Sequence, residues 1–177
     1  MKNLSSRFRV TARFLWTRGF LGFMNRAELQ QLAEMRLSDA KKLLFLGGND
    51  DGAFYIAGYA VECALKAVIA KEWQVIVADW VQTQSPNQFP SGNDLVLSKQ
   101  KYHVHNIKQL QKLARLDDLL ATDRRVNSDL DLNWKEAESW SETARYELTR
   151  PRQDAVQLVE AISDPVNGVL QWIKNYW

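Results

Sequence analysis

The sequence predicts an all-α protein, an up-and-down bundle of four main helices with one short extra helix. Three observations lead there. First, Gly52 to Lys71 lacks proline, is nearly all apolar or small, and places small residues at Ala53, Ala57, Ala60, Ala64 and Ala67. Those spacings of four and three put the alanines on one helix face and let a second helix approach closely. Second, apolar residues elsewhere recur with helical rather than alternating period. Third, Val75-Ile76-Val77 is the only β-branched run, too short to make a strand against its surroundings.

The elements follow in order. Asn25 with Glu28 three residues later forms a capping box, opening a helix from Asn25 to about Leu46. Its apolar stripe is Leu29, Leu32, Ala33, Leu37, Ala40, Leu43 and Leu44, and Gly47-Gly48 stops it. Asn49, Asp50 and Asp51 offer N-cap oxygens and negative charge to the second helix, which runs to about Trp73, with an extension to Trp80 also open. Asp79 to Tyr102 carries Pro86, Pro90, Gly92 and several Ser and Asn and reads as a long surface loop. A third helix starts near Asn106 with Ile107, Leu110 and Ala114 inward, and a short piece follows at Leu116 to Val126. Asp129 or Asp131 opens a fourth helix with Trp134, Ala137, Trp140, Ser141, Ala144 and Leu148 on one side, ended by Pro151. The last helix runs from Arg152 toward Tyr176. Its stripe of Ala155, Leu158, Val159, Ile162, Val166, Val169, Leu170 and Ile173 continues through Pro165, so a kink is expected there.

Composition narrows the class. The 177 residues suit one domain, with 46% hydrophobic and 25% charged residues. The single cysteine, Cys63, excludes an intrachain disulfide and reads as a buried, inert thiol. No His/Cys group has zinc-ligand spacing, so neither a metal nor a cofactor is implied. No run reaches about 18 consecutive apolar residues, because Glu62 and Lys66 interrupt the central one, and a cytoplasmic protein is expected. The net charge of +2 is uneven. Residues 1–24 hold Lys2, Arg7, Arg9, Arg13 and Arg18 without an acid, leaving 18 basic against 21 acidic residues in 25–177. This basic, aromatic leader reads as a mobile extension to a helical domain spanning 25–177, with membrane or RNA contact, or a targeting peptide with a short apolar run and no clear cleavage site, as the alternatives. Because a helix begins directly after it, Met24 is an alternative start.

Ala57 to Ala67, reading AGYAVECALKA, resembles the second helix of HEPN-domain proteins. The Gly-rich turn before it, His105-Asn106-Ile107 opening the third helix, and Trp140 followed by Arg145-Tyr146 are similar to further elements of that family. The resemblance covers about Asn25 to Ile173. It implies a four- or five-helix bundle, usually a homodimer, acting as a toxin RNase, as the partner of a small nucleotidyltransferase, or as a module of defence systems. The RNase branch carries an Arg, four to six residues, then a His. Here the only histidines are His103 and His105, and the positions where the Arg would fall hold Val96, Leu97, Ser98, Lys99 and Gln100. No histidine follows Arg145. The resemblance thus implies the fold and speaks against that chemistry, and no catalytic residue is assigned.

Three groups of residues remain as candidates. Glu62, on the most apolar helix, needs a partner. Lys66 one turn on and Tyr59 on the same stripe make a buried polar network that fixes helix register, against the alternative of a cleft-lining acid. His105, Lys108, Lys112 and Arg115 follow helical spacing as a cationic stripe, joined by Arg124, Arg125, Arg150 and Arg152 if the helices pack suitably. It would hold phosphates, or be an ordinary solvated face, and His105 alternatively caps the third helix. Arg145 and Tyr146 match the family element. Either Arg145 binds phosphate in a dimer cleft, or it pairs with Glu142 or Glu62 beside a core tyrosine. Trp172, Tyr176 and Trp177 crowd the chain end and are expected to meet a partner or a second copy.

The leading expectation is a non-catalytic or degenerate HEPN-like homodimer binding RNA, a nucleotide or a nucleotidyltransferase. The alternatives are an RNase using Arg145, Tyr146, His105 and Glu62, and a purely structural oligomerisation module.

Overall fold

The computed structural model describes residues 25–83 and 104–177, with side chains described for 25–71 and 104–177. The basic leader, most of the expected surface loop, and the positions of Lys99 and His103 lie outside the described residues, as do the side chains of Trp73 and Trp80. Among the described residues the protein is all-helical, with no strand. Its elements are α1 (Arg26–Leu46), α2 (Asp50–Thr83), α3 (Ile107–Leu113), α4 (Asp117–Val126), α5 (Ser128–Glu138), a 3₁₀ turn (Glu142–Tyr146), α6 (Arg152–Ser163) and α7 (Val169–Lys174).

The chain builds these helices with local side-chain chemistry. The Asn25 side chain accepts from the Glu28 N–H while Glu28 reaches back to the Asn25 N–H, the reciprocal cap the sequence predicts. Gly47 and Gly48 have φ of 74° and 79°, a left-handed turn that L side chains resist. Asn49 Oδ1 then accepts from the Gly52 N–H at 3.1 Å, so of the three offered residues it is Asn49 that caps α2. Asn106 caps α3 through the Gln109 N–H, and Asn127 caps α5 through the Leu130 N–H. Asn127, rather than Asp129 or Asp131, therefore opens the fourth helix of the sequence reading.

α2 is the centre of the molecule. It packs most extensively on α1 and also touches α3, α6, α7 and the 3₁₀ turn. Ala53, Ala57, Ala60, Ala64 and Ala67 are all fully buried. The Asp50–Lys71 part is long and apolar enough to cross a membrane, but 83% of its most apolar window is buried inside the protein, which accounts for that hydrophobicity by core packing. The helix runs to Thr83, past Trp73 and into the segment the sequence assigned to a loop.

Three expectations need correction. The fourth helix does not run on to Pro151. α5 stops at Glu138, and the Ser139 hydroxyl bonds back to the Glu136 carbonyl. A 3₁₀ turn capped by Ser141 follows. Trp140 and Ala144 are buried as their spacing suggested, but Leu148 is 87% exposed. The last helix is broken, not kinked. Pro165 brings no N–H, and Asp164 takes the N–H groups of Val166 and Asn167, so helix resumes only at Val169 and Val166 is left in solvent. Arg115 lies beyond the end of α3 with φ 57°, so the helical spacing that placed it on one stripe with Lys108 and Lys112 does not extend to it. The C-terminal aromatics also make contacts within the chain, with Trp172 buried and Tyr176 and Trp177 half-buried. Trp172 meets Trp134 edge-on at 5.5 Å and Tyr176 at 4.7 Å, and its indole N–H donates to Asp123. Trp177 lies against Leu29, Ala67 and Ala70, and Lys71 holds the Tyr176 carbonyl.

Candidate functional site

One face of α2 carries Tyr55, Tyr59, Glu62 and Lys66 at spacings of four, three and four. Along an α-helix such residues lie one above another, so this is a single strip roughly 16 Å long. What packs on the strip differs from end to end.

At its deeper end Glu62 is 1% exposed. Its Oε1 accepts from Lys66 Nζ at 2.7 Å, and Lys66 is itself buried. Both carboxylate oxygens also face His105 Nδ1, at 3.0 and 3.1 Å. A carboxylate between two donors only accepts, so the imidazole hydrogen sits on Nδ1. His105 comes from just before α3, 43 residues along the chain. It does not cap that helix, because Asn106 does. Cys63 lies beside this group, and its thiol is pushed up to about 12, first by burial and then by the Glu62 charge. Burial likewise raises the Tyr59 phenol, with the nearby Cys63 and Glu62 adding to the effect. Arg36 of α1 faces the same region and pairs with Asp39 at 3.0 Å.

At the other end the ring of Trp140 lies on Gly58. A Cβ added to Gly58 would stand 2.2 Å from that ring, so only glycine admits it. Trp140 also stacks with Tyr55 at 6.2 Å, and Tyr55 lies nearly parallel to Tyr59 at 6.3 Å. The docked tryptophan brings the 3₁₀ turn onto α2 and with it Arg145. That guanidinium lies over the ring of Tyr146, 4.8 Å from its centroid. Its pKa is raised, chiefly by the Tyr146 phenol and then by that of Tyr55. Among the described residues Arg145 pairs with no carboxylate, neither Glu142 nor Glu62. Tyr146 is 72% exposed and is not a core tyrosine.

The remaining candidates are placed elsewhere. Lys108 pairs with Glu138 at 3.5 Å. Arg124 bridges Asp131 and Glu138, each at 2.6 Å, and so ties α4 to α5. Arg150 lies over the Phe54 ring and pairs with Glu147 and Asp154. Arg152 pairs with Asp50 and caps the Leu44 carbonyl. Lys112 and Arg115 are exposed and lie outside the strip. Most of the expected cationic stripe is thus neutralised by acids. No group of His, Cys, Asp and Glu among the described residues is arranged to hold a metal ion.

The sequence separated what the structure joins. His105 was placed with the cations, and it was joined to Glu62 only in the alternative RNase reading. The Glu62–His105 contact has no spacing rule behind it. The available signal was chemical: a buried acid and a histidine ahead of an inward-facing helix start.

Comparisons with protein-family models, with curated proteins and with solved structures find no match to this chain.

Proposed function

We propose that this chain is a HEPN-like helical protein that works by binding rather than by catalysis, holding RNA or a nucleotide as a homodimer alongside a nucleotidyltransferase partner. The dimer and the partner rest on the sequence resemblance. Ligand binding rests on one observation: Arg145 is an exposed guanidinium, unpaired among the described residues, beside aromatic rings. Nearly every other arginine near α2 is already bound to acid or carbonyl, as Arg36, Arg150 and Arg152 are. A guanidinium fork suits phosphate, and tyrosine faces suit bases.

A second reading is favoured by Glu62 lying on His105 Nδ1, since a carboxylate-held imidazole is the arrangement of a general base. Against it, Arg145 stands by Tyr55, which lies two helical turns, about 10 Å of rise, from Glu62, so the guanidinium and the imidazole belong to opposite ends of the strip.

The test is fluorescence anisotropy of a labelled single-stranded RNA between 50 and 200 mM salt, followed by gel analysis of the same RNA. Intact RNA, with an affinity that falls with salt and a log–log slope reduced by about 0.7 in Arg145→Ala, is expected. Cleavage that disappears in Arg145→Ala or His105→Ala would establish the enzyme instead.

A further inference from the structure

The strip does more than offer a phosphate contact. Read from Arg145 to His105, it presents a guanidinium, two near-parallel phenol rings and an imidazole along about 10 Å of one helix face. The imidazole is oriented. Its Nδ1–H is committed to the buried Glu62 carboxylate, whose charge Lys66 balances. Nδ1 faces the buried carboxylate while 41% of the side chain is exposed, which leaves Nε2, on the other side of the ring, to a ligand. In the neutral ring Nε2 keeps its lone pair and accepts a hydrogen bond. The two ends of the strip therefore ask for opposite chemistry, an anion at Arg145 and a hydrogen-bond donor at His105, with a flat apolar body between.

We propose that this face is a mononucleotide site in which Arg145 takes the phosphate, Tyr55 and Tyr59 support the base, and His105 Nε2 accepts from an N–H of the base. A nucleoside monophosphate spans about 10 Å from phosphate to the far edge of its base, which matches the strip. Glu62 is a positioning residue here, since it touches His105 and not the ligand. This proposal rests on the reading of the chain as a nucleotide or RNA binder and narrows it to one nucleotide unit.

Isothermal titration of the full chain with AMP, adenosine, ribose 5-phosphate and inorganic phosphate tests it. AMP should bind about tenfold or more tighter than adenosine or ribose 5-phosphate, since stacking and phosphate contact each contribute on that scale. Arg145→Ala should reduce AMP to the affinity of adenosine. His105→Gln retains a donor for Glu62 and should reduce AMP toward the affinity of ribose 5-phosphate. Tyr59→Leu, which leaves the Glu62 cluster in place, should do the same by removing the support for the base. If ribose 5-phosphate or inorganic phosphate binds as well as AMP, the site holds phosphate only and the proposal is overturned. If the labelled RNA binds but AMP does not, the proposal falls and the broader binding function stands. If neither binds, both fall.

Discussion

At the residue scale Glu62 is the group on which the local fold depends. A carboxylate at 1% exposure survives only because Lys66 and His105 both donate to it. Removing one partner of such a pair leaves a buried charge, so Glu62→Ala should cost about 3–5 kcal/mol in urea unfolding. Replacing Glu62 and Lys66 together by methionine should cost much less, because no buried charge is then stranded. Equal losses in the single and double variants would show that the pair is not what the local fold depends on. Cys63 gives a second prediction. A thiol held near 12 and buried should resist Ellman's reagent in the native protein and react fully in denaturant. Rapid native labelling would contradict its placement. Asp164 gives a third. Its carboxylate is held below its usual value, first by the Asn167 N–H and then by that of Val166. A depressed folded value means stability that is present above the unfolded value of about 4 and is lost as the pH falls through the folded one. The difference in thermal midpoint between the protein and Asp164→Asn should therefore be largest above pH ~4 and shrink toward pH 2. A constant difference would mean that the charge is not involved.

At the scale of elements, the decisive contact is Trp140 on Gly58. Alanine at an interior helical position normally favours the helix over glycine by roughly 0.5–1 kcal/mol. Here the new methyl would meet the indole ring at 2.2 Å, so the ring and its 3₁₀ turn must shift. Gly58→Ala should therefore be net destabilising by about 1–3 kcal/mol and should disturb Arg145 as well. A stabilised Gly58→Ala protein would remove the reason for placing Arg145 on α2. This junction also shows what was legible in the sequence. The alanine rhythm of α2, the capping box and the Gly-Gly stop were readable because each is a local rule between residues within one turn. The end of α5 was not. Trp140, just before the 3₁₀ turn, and Ala144 within it stay inward as they would in a continued helix, so the apolar period passes through the break unchanged. Leu148 and Val166 show the same failure, since periodic apolar residues do not reveal where Ser139 or Pro165 releases the backbone from the helix.

At the scale of the molecule, α2 acts as both core and platform. Its alanines bury against α1 and its neighbours, while its polar strip collects one residue from the entry to α3 and one from the 3₁₀ turn. The family resemblance drew attention to these same segments, and it gave no account of why they belong together. The physical reason is that Gly58 admits a tryptophan and Glu62 requires a donor. Each demand draws a distant segment onto one helix face, and the two segments bring Arg145 and His105.

The most direct test is an NMR titration with AMP that follows the Arg145 Nε–H and the ring nitrogens of His105, with Arg124 Nε–H as an internal control. Arg124 is locked between Asp131 and Glu138 and should not move. Concerted, saturable shifts of Arg145 and His105, with Arg124 unchanged, are the predicted result. Shifts at Arg124 without His105, or none at any of the three, would contradict a binding face built on α2.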